Sequence, residues 1–299
     1  MAHRPPARDP LLVDLFSQIW QEFRASPRGS CFFLKANMSQ YDLTYISYGA
    51  GVQSTALLVC SNLGLHGVPK ADVAIFADTG DEPEYIYEYL EVVKQWSDIP
   101  IEVCQHGVLS EDTAKSQFAC VPAYSTNKDG SPSLLRRHCT ADYKIRPIER
   151  HVRELLGYEK GQRVKHKARC LLGISRDEAS RMKPSRTKWI VNEWPLVDAL
   201  LRRSQCVEIV ESSGLPSPFK SSCFYCPFHS DKYFAWLRDN HPVDFESACK
   251  FDEMIRDKGL NPDMGKLYVH RSRKPLREVK LDSDQLDLFD NECEGYCGI

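Results

Sequence analysis

The sequence predicts an α/β fold: a doubly wound, mostly parallel sheet followed by a helical, cysteine-rich C-terminal part. Two β-type runs, at residues 45–48 and 71–77, each end in a polar or glycine-bearing turn that leads into a helical pattern, the alternation that winds parallel strands. A third apolar run follows at residues 170–175. From Trp189 onward helical patterns dominate, in PLVDALLRRSQCVEIVESSG, DKYFAWLRDN and DFESACKFDEMIRDKG.

Residues 1–38 read as a leader. Leu11, Leu12, Leu15, Ile19, Trp20 and Phe23 recur at helical spacing, and the polar face is not markedly basic, which suits a packing or dimer helix better than a membrane binder. An α/β domain is expected over residues 39–188. It opens with YISYGAGVQSTALLVC, where an apolar run ends in glycines and then in Ser54 and Thr55 at the head of a helical pattern. That layout aims backbone N–H groups and a helix dipole at an anion, a phosphate or a sulfate. The bland alternative is a tight turn with no ligand. No lysine precedes Ser54, so the loop is not G-x-x-x-x-G-K-S/T, and it is not G-x-G-x-x-G.

The next stretch, ADVAIFADTGDEPEYIYEYLEVV, reads as a buried strand, a polar turn at Asp78, Thr79 and Gly80, and an amphipathic helix beginning near Pro83. Ligands of open parallel sheets bind beyond the carboxyl ends of the strands, so the two turns are expected to converge on one ligand. Taken alone, Asp78 reads equally well as a turn former. Residues 108–135 are polar and turn-rich, and are expected as a mobile loop over the site. RRHCTADYKIRPIERHVRELL then joins a turn bearing Cys139 to a helix with a basic first half, and the strand CLLGIS gives way to RDEASRMK. In the latter, Arg176 and Arg181 offer planar forks for a phosphate or sulfate.

These stretches resemble, in order, the motifs of the phosphoadenylylsulfate (PAPS) reductase-like family of the adenine-nucleotide α-hydrolase (PP-loop ATPase) superfamily. Beyond the loop itself, Asp78, Thr79, Gly80, Pro83 and Glu84 match D-T-G-x-x-x-P-E, Cys139, Lys144, Pro147 and Ile148 match C-x-x-x-x-K-(I/V)-x-P-(I/L), and Gly173, Ile174, Arg176 and Glu178 match the segment after the later strand. The resemblance implies an adenine-nucleotide-binding enzyme of sulfur transfer or sulfonucleotide reduction. Its ligand, ATP, PAPS or adenylylsulfate, with magnesium as an accompanying ion, would be held by Ser47, Gly49, Gly51, Gln53, Ser54, Thr55, Asp78, Thr79, Gly80, Glu178 and Arg181. The implied catalytic groups are Lys144, Arg176 and Cys297. ATP-cleaving members read S-G-G-x-D-S at the loop. Gln53 stands here in place of that Asp, which argues against cleavage between the α- and β-phosphates and leaves nucleotide binding intact.

A net charge of −2 over 299 residues and a pI near 6.5 exclude an overall basic nucleic-acid binder, and local basic runs at 136–138, 163–169 and 270–277 read as solvated faces or the rim of an anion site. No apolar stretch reaches the roughly 18 residues of a membrane span, and the N-terminus carries no apolar signal segment, so a cytoplasmic protein without a membrane partner is expected.

In a reducing compartment the 12 cysteines form no disulfide framework. Cys60, Cys104, Cys170, Cys206 and Cys249 fall in apolar patterns and read as small buried hydrophobes. Cys223 and Cys226 differ, because a C-x-x-C loop in a turn-rich stretch presents two thiolates to one metal or cluster edge. A thioredoxin-like pair would need a preceding strand and a helix starting inside the motif, which Pro216, Pro218 and Pro227 fit poorly. Cys139 and the tail pair Cys293 and Cys297 are the available partners, and four cysteines suit zinc or an iron–sulfur cluster.

The resemblance implies the cluster. Adenylylsulfate reductases carry a Cys-Cys pair where His138 and Cys139 stand, and Cys293 is expected to replace the missing ligand, with Cys297 as the sulfur nucleophile. Zinc is the alternative. The expected partners are the nucleotide and a thiol reductant protein or a nucleic-acid acceptor, and the leader helix is compatible with a homodimer. Two other readings stay open: an ATP-dependent nucleic-acid thiolation enzyme, similar to DNA phosphorothioation proteins, and a non-catalytic nucleotide-sensing zinc module.

Overall fold

Both faces of the central sheet are covered, which is why its strands read as near-continuous apolar runs. The computed structural model describes residues 40–259 and 265–281. The expected leader helix and the tail cysteines Cys293 and Cys297 lie outside the described residues.

In chain order the elements are β1 (Leu43–Tyr48), α1 (Val52–Leu63), β2 (Val73–Asp78), α2 (Glu84–Trp96), β3 (Ile101–Gln105) and α3 (Leu109–Lys115). A short ribbon of β4 (Tyr124–Thr126) and β5 (Pro132–Leu134) follows, then a wide π turn (Thr140–Ile145) running into α4 (Arg146–Leu155). The last part holds β6 (Ala168–Leu172), a 3-10 turn (Arg176–Arg181), β7 (Ile190–Glu193), α5 (Pro195–Asp198), α6 (Arg203–Ser212), α7 (Asp231–Asn240) and α8 (Pro242–Met254).

The sheet order is β3-β2-β1-β6-β7 and every pairing in it is parallel. Because side chains alternate along a strand, Ile46, Tyr48, Ala74 and Phe76 pack on one face against α1, α2 and α6, while Tyr45, Val73, Ile75, Cys170, Leu172 and Ile190 pack on the other against Ile148 and Val152 of α4. The chain winds outward from β1 to β3 and then returns to β6 on the opposite side of β1. The carboxyl ends of β1 and β6 therefore frame the crevice where strand order reverses. The doubly wound parallel architecture expected from the sequence is thus the observed one.

Three expectations need correction. Residues 108–135 are not a bare loop, since they form α3 and the β4–β5 ribbon, and Leu109, Val121, Ala123 and Leu135 are buried in a second apolar cluster with α7 and α8. Their contacts are long-range and leave no local periodicity to read. Next, the sheet runs across the boundary expected at residue 189, because β7 pairs with β6, with Ile190 opposite Ala168. A four-residue strand of mixed polarity carries too little pattern to be recognised. Finally, β6 ends at Leu172, before Ser175. The five cysteines read as buried hydrophobes are all buried. No helix among the described residues is long and apolar enough to cross a membrane.

One buried carboxylate ties the sheet to the second cluster. Asp81, just beyond β2, accepts from Ser110 N at 2.7 Å, from the Ser110 hydroxyl at 2.6 Å and from the Tyr225 hydroxyl at 2.7 Å, and its carbonyl accepts from Phe224 N at 3.1 Å. Burial pushes the Asp81 carboxyl above its usual range, and the hydrogen bonds from Ser110 and Tyr225 hold part of that rise back. Tyr225→Phe deletes one bond to a buried carboxylate and is expected to cost about 1.5–3 kcal/mol in urea unfolding with the m-value unchanged. A loss under about 0.5 kcal/mol would mean that this bridge does not hold the two parts together.

Candidate functional site: the loop cavity and the cysteine turn

The loop after β1 is folded by one side chain. Ser54 Oγ accepts from the N–H groups of Gly49 at 3.3 Å and Gly51 at 3.2 Å, and donates to Gly51 O at 3.0 Å. Ala50 sits in the left-handed region at φ 55°, and Gly51 caps α1 in an extended conformation. Thr55 lies buried beneath the loop, its hydroxyl 3.2 Å from that of Tyr48. The first-turn N–H groups of α1 have no intrahelical acceptor and face the crevice with the positive end of the helix dipole. Gly173, just past β6, closes against this turn: a Cβ there would lie 2.7 Å from both N and Cα of Ser54, so only a hydrogen fits.

A cavity opens on this loop, lined by Ser47, Gly49, Gly51, Gln53 and Ser54 from the β1 side and by Gly173, Glu178 and Arg181 from the β6 side. Four cations also line it: Lys144, Arg181, Arg203 and Lys220. Each is held. Lys144 Nζ lies 3.3 Å from Glu82 Oε1, with the Glu82 side chain wholly buried. Arg181 Nη1 donates to Glu178 Oε2 at 2.5 Å, Arg203 Nη1 to Gln53 Oε1 at 2.9 Å, and Lys220 Nζ to Phe228 O at 3.1 Å. The Ser221 hydroxyl donates to Gly49 O, anchoring the segment before the cysteine turn to the loop. Glu178, already paired, is the one carboxylate among the lining residues. An anion is the ligand such a lining recognises. Gln53 has a visible use: its amide oxygen draws Arg203 to the loop.

Ser47, Gly49, Gly51, Gln53, Ser54, Lys144, Glu178 and Arg181 are therefore brought together as expected, whereas five other expected residues are not. Thr55 is structural. Arg176 is exposed, spends its backbone N–H on Leu201 O, and does not line the cavity. Asp78 closes its own turn, accepting from Gly80 N at 2.7 Å and from the Tyr87 hydroxyl at 2.8 Å. Neither Asp78, Thr79 nor Gly80 lines the loop cavity, so the two turns do not meet on one surface there. Sequence reading missed Arg203, Lys220 and Ser221, which reach the cavity from segments distant along the chain.

The turn at residues 78–82 serves the cysteines instead. Thr79 Oγ1 is 3.2 Å from Cys223 Sγ, and Glu82 on the same turn pairs with Lys144. The C-x-x-C segment is a tight turn, with Cys226 N donating to Cys223 O at 2.9 Å and His229 N to Cys226 O at 3.1 Å. His229 Nε2 donates to Cys223 O at 2.9 Å, and its ring stacks on Tyr233 with centroids 3.6 Å apart. Burial, with Lys220 nearby, keeps that imidazole well below its usual pKa and hence neutral. Its buried Nδ1 has no hydrogen-bond partner. Burial, together with the Glu82 charge, raises the Cys223 thiol well above its ordinary pKa, while Lys144 and Thr79 pull it down.

Cys139 and Cys223 pack against the same apolar cluster. Soft thiols and an orphaned imidazole nitrogen on one turn are the donor chemistry of a thiophilic metal, whose charge would offset the cost of a buried thiolate. Among the described residues, no group of three or more His, Cys, Asp or Glu is placed to hold a metal ion.

No protein-family model matches the chain, and no curated protein matches it. Among solved structures it is similar to a PAPS reductase from Candida auris in complex with phosphate, with 12% identity and a TM-score of 0.39 over 60% of this chain and 76% of that one. It is also similar to the U34-tRNA thiolase NcsA from Methanococcus maripaludis, solved with its 4Fe–4S cluster, with 12% identity and a TM-score of 0.40 over 87% of this chain and 82% of that one.

Gly173→Ala is expected to push the end of β6 off the loop and destabilise the protein by about 1–3 kcal/mol, because the new methyl meets backbone rather than a yielding side chain. Urea unfolding measures it, and a neutral effect would contradict the close packing of β6 on the loop.

Proposed function

We propose that this chain is a PP-loop enzyme of PAPS reductase type. It binds an adenine nucleotide by its phosphates or sulfate at the loop of residues 49–54 and handles sulfur at a metal centre held by cysteines. The observation that carries this reading is the crevice at the ends of β1 and β6, where a helix N-terminus and four held cations converge on a lining with a single paired carboxylate. The four motifs that resemble the family supply the sulfur chemistry in this reading.

The chain's own groups divide the work. First-turn N–H groups of α1 receive the anion, while Arg181 and Arg203 clamp it with planar forks. Lys144 stands between the anion and the cysteine turn, its ammonium fixed by Glu82. Cys139, Cys223 and Cys226 are the proposed ligands, with Cys293 as the fourth, and the unpartnered His229 Nδ1 is a further donor on the same turn. An iron–sulfur centre there would offer sulfur an open iron, and zinc would give a closed structural site. Cys297 is the proposed nucleophile. Magnesium, if it accompanies the nucleotide, finds only Glu178 on the cavity wall. A cytoplasmic location, a thiol reductant and a homodimer belong to the same reading.

Calorimetry with ATP, AMP, adenylylsulfate and PAPS is expected to find at least one ligand, and Arg203→Ala to weaken it about tenfold, or about 1.4 kcal/mol. If none of the four binds metal-replete protein, the nucleotide reading fails. Purified without oxygen, the protein should carry iron with sulfide, or zinc, and Cys223→Ser should lose it while Cys104→Ser keeps it. Equal metal content in Cys223→Ser and the unaltered protein would refute the ligand assignment.

A further inference from the structure

A second cavity, of about 520 Å³, lies behind the first and shares its wall at Ser47, Lys144, Ile148 and Leu172. It sits between the sheet face and α4, under the segment 183–187. Protein interiors rarely hold voids larger than a water molecule, and ligand pockets run from about 300 to 1,000 Å³, so this space is not a packing flaw. Its inner part is apolar, with buried Tyr45, Cys170, Leu172 and Ile190 on the sheet and Ile148 from α4. Arg137, Arg146, Lys183 and Arg186 line its outer part. Glu149 is the one carboxylate on the wall, and it already accepts from the Thr187 hydroxyl at 2.5 Å.

The π turn before α4 supplies the decisive group. Thr140 lines the cavity, is only 7% exposed, and its hydroxyl has no hydrogen-bond partner. Burying a hydroxyl without a partner is costly, and such groups are normally answered by another polar atom. Thr140, Ala141, Lys144 and Ile145 of the same turn all line the cavity, and π-wound segments concentrate at functional sites. Asn192 and Thr187, by contrast, spend their side chains inside the protein, on Lys183 O and Glu149. Thr140 and the cations are therefore the groups placed to recognise a ligand. We propose that this cavity binds a small organic anion, with a compact apolar body in the inner part, a carboxylate or phosphate among the cations, and a polar atom bonded to Thr140. Lys144, fixed by Glu82, lines both cavities, so the anion is held beside the occupant of the first. That this occupant is a nucleotide rests on the reading above, whereas binding of the organic anion does not.

The test uses the full, metal-replete chain and four probes measured by calorimetry: 1-naphthoate, 1-naphthyl phosphate, 1-naphthol and inorganic phosphate. At least one naphthyl anion is expected to bind about tenfold more tightly than 1-naphthol, which lacks the charge, and than phosphate, which lacks the body. Which of the two anions binds better tells a carboxylate site from a phosphate site. Thr140→Val should weaken that anion about three- to tenfold by deleting one hydrogen bond. It should leave the thermal unfolding midpoint of the free protein unchanged or raised, because an unpaired buried hydroxyl is removed. Arg186→Gln should weaken the anion by a similar factor and leave 1-naphthol unaffected. Saturating ATP should leave the anion bound.

Failure of both naphthyl anions to bind would overturn the proposal, as would equal binding of 1-naphthol or of inorganic phosphate. Unchanged anion affinity in Thr140→Val would overturn it too. Displacement of the anion by ATP would do the same, by assigning the cavity to the nucleotide itself. Anion binding in a protein that binds no ATP would support the second cavity and refute the reading of the first.

Discussion

The arrangement of this molecule depends on the turn at residues 78–82, which is bonded in three directions at once. Asp81 is gripped by Ser110 and Tyr225, Thr79 touches Cys223, and Glu82 holds Lys144. Each contact joins the sheet to a segment far along the chain. A wholly buried Glu82 is tolerable only with its ammonium partner, since stranding a buried charge costs about 3–5 kcal/mol. Lys144 is thereby fixed between the anion cavity and the cysteine turn. The same turn thus sets the spacing between the cation-lined loop cavity and the cysteine turn.

Gln53 shows how one side chain on the loop shapes the cavity beside it. A carboxylate at that position would put negative charge beside any anion entering the cavity. The amide keeps the loop neutral and recruits Arg203 from α6. The cavity is consequently more cationic than it would be with Asp at this position, which favours an anion as its ligand. Gly173 makes this compactness possible, because any side chain there would hold β6 away from the start of α1.

What the sequence discloses and what it hides divide along sequence separation. β1, β2, α1 and α2 were legible because burial on both sheet faces writes itself into local runs, and the loop was legible because Ser54 acts within five residues of its partners. The roles of Asp78 and Arg176 were not. Both stand in the expected motifs, yet Asp78 closes its own turn and Arg176 faces solvent, facts set by packing and not by order along the chain. Arg203 and Lys220 escaped notice for the complementary reason: nothing near them in sequence marks an anion site. β7 and the ribbon of β4 and β5 are too short to show a period. The C-x-x-C pair was legible as a pair, but its tie to Thr79 spans 144 residues and no local pattern encodes it.

Residues 78–82 join the loop cavity and the cysteine turn into one unit. Metal content and ATP affinity measured on the same Asp81→Asn protein, shown to be folded by circular dichroism, test it most directly. The account predicts that both fall together, because weakening the grip on Tyr225 and Ser110 loosens Cys223 and Lys144 at once. A folded Asp81→Asn protein with a full metal complement and unaltered ATP affinity would contradict it.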